Sequence, residues 1–178
     1  MPPTDFARLA LPHLDGLYRT ARRLTSRSSE VEDLVQETFL EAFRCFASLE
    51  DPARCRAWLF RILRNRLFHH RERERTRSVA RAGSPVTAGD LERELAEAGF
   101  SDEVERALGA LPEEFRTTLL LVAVEELSYE EVAEVMECPL GTVRSRVARG
   151  RALLGAALVA ANLPANLATK SGNTQGGR

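Results

Sequence analysis

Apolar residues fall at steps of three and four through one segment after another, the spacing that lines one face of a helix, so the chain is expected to be all-α. Phe6, Leu9, Leu14, Leu17, Ala21 and Leu24 form a first amphipathic stretch, interrupted or restarted at Pro12. Ser29 with Glu32 offers a capping box for a second helix running to about Phe46, whose inner side carries Val31, Leu34, Val35, Thr38, Phe39 and Ala42. That helix leaves Glu30, Asp33, Glu37 and Glu41 in a row on another side, with Gln36 at its edge. An acidic row of this kind is ordinarily a solvated face.

Residues 46–56, FASLEDPARCR, carry loop signals. A long helix follows, from about Ala53 to beyond Arg75. Leu59, Ile62, Leu63, Arg66 and Leu67 mark its inner side, Trp58 and Phe60 flank it, and Arg61, Arg64, Asn65, His69, Arg71 and Arg73 point outward or past the core. Composition then shifts to a connector rich in Gly, Ser and Pro. Leu91, Leu95 and Ala98 permit a short acidic helix, Ser101, Val104, Leu108 and Leu111 start another, and Pro112 opens a third with Phe115, Leu119, Leu120, Val122 and Ala123 inside. The expected division is a helical domain over 1–77, a flexible linker over 78–100, a second helical domain over 101–158 and a disordered tail over 159–178.

The most informative stretch spans residues 127–154, LSYEEVAEVMECPLGTVRSRVARGRALL. Ser128 and Glu131 make a capping box, Val132, Val135 and Met136 form one face, and Pro139 ends that helix and suits the first turn of the next. In the following helix Val143, Val147, Gly150 and Leu154 form the buried stripe. Ser145, Ala148, Arg149 and Ala152 point the opposite way, with Arg144, Arg151 and Arg146 on the flanks. This is the plan of a helix-turn-helix, whose second helix enters the DNA major groove, where Arg can donate two hydrogen bonds to guanine. A solvated, salt-bridged helix face would mix charges, and no acid occurs between Pro139 and Leu154.

Charge distribution extends this reading. The 178 residues have a formal net charge of −1, which would suit nucleic acid poorly if the charges were evenly spread. They are not. Ten arginines lie between Arg54 and Arg81 against Glu72 and Glu74, whereas Arg93, Arg106 and Arg116 are the only basic residues between Asp90 and Glu137. Two basic patches separated by an acidic block imply contact with DNA at two places and a weak overall attraction for the free chain. Arginine interleaved with Trp58 and Phe60 suits a single strand, because guanidinium pairs with phosphate and an aromatic face stacks a base. Trp58 by itself is as readily a core residue.

Other chemistry finds little support. Cys45, Cys55 and Cys138 are widely spaced and lack a Cys-x-x-Cys pair, and His69 and His70 diverge by about 100° on a helix. No metal, cofactor or catalytic residue is expected. The start MPPTDFARLA lacks a signal-peptide plan, and no run approaches the roughly 20 apolar residues of a membrane span, so a cytoplasmic protein without membrane insertion is expected.

Taken in order, EVEDLVQETFLEAF, CRAWLFRILRNRLFHH and the segment from LPEEFRTTLLL to GRALL make the chain resemble the extracytoplasmic-function sigma factors, the small two-domain group 4 of the sigma-70 family. The likeness covers about residues 6–154. It implies an RNA polymerase sigma factor that binds the core enzyme through its β′ and β subunits and recognises promoter DNA at −35 and −10 elements. An anti-sigma factor is the further partner it implies. By the same resemblance Asp33, Gln36 and Glu37 bind core polymerase. Leu49, Asp51, Arg54 and Arg56 form a loop pocket for a flipped −10 base, with Trp58, Arg61 and Asn65 as strand contacts. Thr142, Arg144, Ser145, Arg146, Ala148 and Arg149 face the −35 element. Glu137 departs from the residue type favoured at a left-handed helix end, at a cost of about 1 kcal/mol.

Two alternatives stay open on the residues: a sigma-like decoy that binds an anti-sigma factor without touching DNA, and a helix-turn-helix repressor that binds operators without polymerase. The intact basic faces argue against the decoy.

Overall fold

A computed structural model describes residues 3–25, 28–80 and 101–162, the side chains of a few at segment ends excepted, and every element among them is helical. In the N-terminal part, α1 (Pro3–Ala10) passes through a 3-10 turn at Leu11–His13 into α2 (Leu14–Leu24). Pro12 occupies that turn, where its missing amide hydrogen breaks no helical bond. α3 (Ser28–Arg44) and α4 (Cys55–Ala80) pack on each other and on α2. The expected capping box at Ser29 falls on a side chain outside the described set. Phe6 anchors α1 by setting its ring edge-on to Phe39, Phe43 and Phe46 at 5.3 to 6.3 Å.

The C-terminal part holds α5 (Asp102–Gly109), α6 (Glu113–Ala123), α7 (Tyr129–Met136) and α8 (Leu140–Asn162). The capping box at α7 forms, with the Ser128 amide donating to Glu131 Oε2 at 2.7 Å and the Glu131 amide to Ser128 Oγ at 3.1 Å. Glu137 ends α7 in the left-handed conformation (φ 50°, ψ 47°), and the Cys138 amide donates back to the Ala133 carbonyl at 3.0 Å. This turn sets α8 across α6 and α7, with Val132, Val135, Val143 and Val147 buried between them. Gly150 lets α8 approach α6 closely, since a Cβ there would lie 3.1 Å from Leu119.

Two boundaries differ from expectation. α4 continues to Ala80, past the expected domain end, and α8 continues to Asn162, so 159–162 are helical where composition predicted disorder. The Ala-rich sequence before Asn162 favours helix even without a packed face. The expected helix around Leu91, Leu95 and Ala98, the rest of the linker and the remaining tail lie outside the described residues.

The two helical parts share one hydrophobic core instead of keeping two separate ones. α4 lies along α7 and α2 against α6, so the cluster runs from Phe6 to Val147.

Candidate nucleic-acid interface

The first candidate surface is the outer side of α3. Asp33, Gln36 and Glu37 are all exposed there, while Val31, Leu34, Val35 and Thr38 face inward. Steps of three and four bring Leu40 beside this acidic row, and it is 56% exposed. Leu40 falls outside the apolar side drawn from the spacing and was assigned to neither face of the helix. An exposed leucine beside charged neighbours is the signal that could have found it.

The second surface is built by the turn after α3 and the start of α4. Asp51 caps a 3-10 turn at Pro52–Arg54, its side chain accepting from the Ala53 amide at 2.9 Å. That turn folds the loop back over α4 and leaves a cavity of about 480 Å³ lined by Leu49, Asp51, Arg54, Trp58 and Arg61. Trp58 is 7% exposed, so it serves the core and the cavity wall together. Arg61 is exposed at the rim. Asn65 is half-buried and accepts from Arg64 at 2.9 Å. Arg56 points away from the cavity toward Glu125, to which it donates at 3.2 Å. Of the predicted loop and strand residues, therefore, Leu49, Asp51, Arg54, Trp58 and Arg61 converge on one cavity, and Arg56 and Asn65 do not.

A neighbouring group feels the same charges. His13 is half-buried, and desolvation together with the Arg56 guanidinium holds its pKa below the ordinary 6.5. Burial likewise pushes the Cys55 thiol up, which makes it a poor nucleophile at neutral pH.

The third surface is the outward face of α8. Arg144, Ser145, Ala148 and Arg149 are exposed near its N-terminal half, and Thr142 is half-buried at its start. Ser145 Oγ donates to the Thr142 carbonyl at 2.9 Å, which fixes its rotamer against the helix. Arg146 differs from its neighbours: it turns inward to donate to Glu114 at 2.9 Å and approaches the Cys138 sulfur at 3.7 Å. No cluster of three or more potential metal ligands exists among the described residues.

Comparison with known proteins adds two family models in the same order as the two helical parts. "Sigma-70 region 2" matches residues 9–77 and "Sigma-70, region 4" matches residues 101–154. The chain is similar to the ECF RNA polymerase sigma factor SigE of Mycolicibacterium smegmatis, at 36% identity over 85% of this chain and 60% of that protein. It is also similar to the ECF RNA polymerase sigma factor EcfG of Rhodopseudomonas palustris, at 37% identity over 89% of this chain and 88% of the other. Among solved structures, the sigma factor RpoE from Bartonella quintana, in complex with the anti-sigma factor NepR, superposes with a TM-score of 0.71 at 31% identity. That superposition covers 89% of this chain and 99% of the other. CnrH in complex with the cytosolic domain of CnrY gives 0.65 at 29% identity over 91% and 92%.

Proposed function

The chain belongs to the sigma-70 family, in its extracytoplasmic-function branch, and on that premise we propose how its three surfaces share the work of promoter-specific transcription initiation. It is an RNA polymerase sigma factor, and its contribution is recognition, with the chemistry of RNA synthesis left to the core enzyme. The exposed row of Asp33, Gln36 and Glu37 engages basic residues of the β′ subunit, and Leu40 beside it supplies an apolar anchor. The cavity walled by Leu49, Asp51, Arg54, Trp58 and Arg61 receives a base turned out of the −10 element, with Arg56 and Asn65 along the path of the strand. Unstacking a base costs a few kcal/mol, which a pocket lined by an aromatic ring and guanidinium groups can return through stacking and phosphate pairing. Residues 1–80 thus form the core-binding and −10 domain, residues 101–162 form the −35 domain, and 81–100 join them.

On α8, Arg144, Ser145, Ala148 and Arg149 read the −35 element, with Thr142 near the backbone. Arg146, held by Glu114, fixes the position of α8 and reaches DNA only if that pair opens. The exposed, acid-free face of α8 is the observation that carries the DNA-reading role and speaks against a decoy. The chain works in the cytoplasm, where its polymerase is. An anti-sigma factor is a fitting partner, because the Bartonella quintana sigma factor it resembles was captured with one.

Run-off transcription with purified core polymerase tests the assignment. Promoter-dependent product is expected from the wild type. Asp33→Arg should lose most of it by failing to assemble holoenzyme while keeping its helix content. Strong operator binding with no product would favour the repressor.

A further inference from the structure

Farther along α4 from the −10 cavity, four helices enclose a second cavity, of about 430 Å³. It shares no lining residue with the first, and Arg71 in its wall lies ten residues beyond Arg61, about 15 Å along the helix. Five of its ten lining residues are arginines: Arg22 and Arg23 of α2, Arg71 of α4, Arg106 of α5 and Arg116 of α6. Glu105 is the one acid among them. Arg106 and Arg116 are also two of the three basic residues between Asp90 and Glu137, so most of the positive charge of that acidic block gathers at this wall.

The wall is only partly neutralised from within. Arg23 and Glu105 form a buried pair, with Nε donating at 3.0 Å. Arg71 donates to the Leu24 carbonyl and pairs with Glu113. Among the described residues Arg22, Arg106 and Arg116 pair with no carboxylate, and Arg106 donates to the Asp102 carbonyl at 3.2 Å. Arg116 is the telling case. Its Nε is buried without a hydrogen-bond partner, and the one bond its guanidinium makes among the described residues runs to the Gly109 carbonyl at 3.4 Å. Burial pushes its pKa down, as expected of a cation taken from water and given no opposite charge. Helix dipoles do not account for it. Arg22, Arg23 and Arg106 stand in last turns, where a dipole favours cations, but Arg116 is the fourth residue of α6, near the end that favours anions.

A buried charge is ordinarily paired, and here the partner is missing from the chain itself. We propose that this cavity binds a small molecule through a diphosphate group, with Arg22 and Arg116 as its main ligands and the exposed Arg106 at the rim. Three guanidinium groups without carboxylates call for more than one negative charge, and each presents paired donors that match phosphate oxygens. The volume falls in the range of small-molecule sites, and Leu24 and Leu108 supply apolar wall for the part that carries the phosphates. Because ligands come from α2 and α4 on one side and α5 and α6 on the other, binding stabilises the whole chain.

The test titrates the full chain with pyrophosphate and with adenosine diphosphate by calorimetry, at an ionic strength held constant with chloride, and records thermal melts beside it. Both probes should bind at one site per chain and raise the melting temperature. Arg22→Ala and Arg116→Met should each weaken pyrophosphate at least about tenfold, the effect of losing a charged hydrogen bond. Without anion, Arg116→Met should melt no lower than the wild type, since methionine tolerates burial that an unpaired cation does not. Arg22 is half-buried and unpaired among the described residues, so Arg22→Ala keeps the test decisive if Arg116→Met fails to fold. Arg8→Ala, at an exposed arginine of α1, should bind as the wild type does. Absence of saturable binding, equal weakening in Arg8→Ala, or unchanged affinity in both site variants overturns the proposal. A labelled single-stranded oligonucleotide, read by anisotropy on the same proteins, separates the other source of phosphate. Its affinity should fall no more in the site variants than in Arg8→Ala; a larger fall, with pyrophosphate binding unchanged, would place these arginines on the path of a strand and overturn the small-molecule site.

Discussion

α4 and α8 are two arginine-rich helices in one small protein, and their arginines are in opposite states. On α4, Arg56, Arg64 and Arg71 each meet a carboxylate from the other domain, as does Arg54 in the turn just before it. On α8, Arg144 and Arg149 stand in solvent, and Arg146 is held by Glu114 of its own domain. Composition alone would treat both as equivalent DNA-binding surfaces. The difference follows from what each helix packs against: α8 lays its apolar stripe on α6 and α7 and turns its basic side away, whereas α4 is sandwiched and offers its basic side to α7. A reader of duplex grooves can remain open at little risk, because nonspecific duplex binding by one short helix is weak.

The sharpest way to break this contrast is to unfold the cover. Leu120, 1% exposed in the core of α6, should cost about 2–5 kcal/mol of stability when changed to Ala. In a thermal melt the C-terminal helices should then go first, abolishing −35 binding, while strand capture by α4 becomes easier. Loss of both activities together would mean that the cover is also needed to hold α4 in shape. A smaller change acts on the open side alone. Arg149→Ala should lose about 1–3 kcal/mol at one −35 base pair and leave other positions unchanged, as measured by binding to a set of single-substitution promoters. Uniform weakening across the set would make Arg149 a phosphate contact.

How much of this contrast could be read from the chain differs between its parts. The helix-turn-helix was legible because each of its signals is local: Ser128 and Glu131 cap within one turn, and the valines of α7 and α8 repeat at fixed steps. The residues placed around the loop cavity came from family resemblance, and Trp58 is at once a core residue and a wall of that cavity, a choice periodicity cannot make. The contact between the two helical parts was not legible. Glu125 looks like any acid in an acidic block until Arg19, Thr20 and Arg56 are found around it, and those partners are separated by up to 106 residues in sequence. Gly16 carries no sequence signal of its own, since its role lies in what it leaves out: a Cβ there would stand 2.7 Å from Glu125 Oε2. Arg56 was assigned to the pocket by its position in the segment, but its side chain leaves the helix toward Glu125 and not toward Leu49.

Two gentler perturbations separate the surfaces further. Glu131→Ala removes one half of the capping box and should cost about 1 kcal/mol, fraying the start of α7. Because α7 both braces α8 and covers α4, −35 affinity should fall modestly and strand affinity should rise modestly in the same protein. A fall in both would show that the two surfaces are not in opposition.

The smallest expected effect comes from His13, whose folded-state pKa lies below 6.5 because of burial and Arg56. A histidine with a lowered pKa binds fewer protons folded than unfolded. Its contribution to stability is therefore complete above pH 6.5 and declines as the pH drops below that value toward the lowered folded-state pKa. Glu125 shares Arg56 with this site, so neutralising it leaves the Arg56 charge less compensated and should lower the His13 titration midpoint further. Nuclear magnetic resonance titration of the ring protons in wild type and Glu125→Gln measures both midpoints. An unchanged or raised midpoint in the variant would mean that Arg56 swings away from His13 once its carboxylate partner is lost, which places the electrostatic link between the domains in the position of that one side chain.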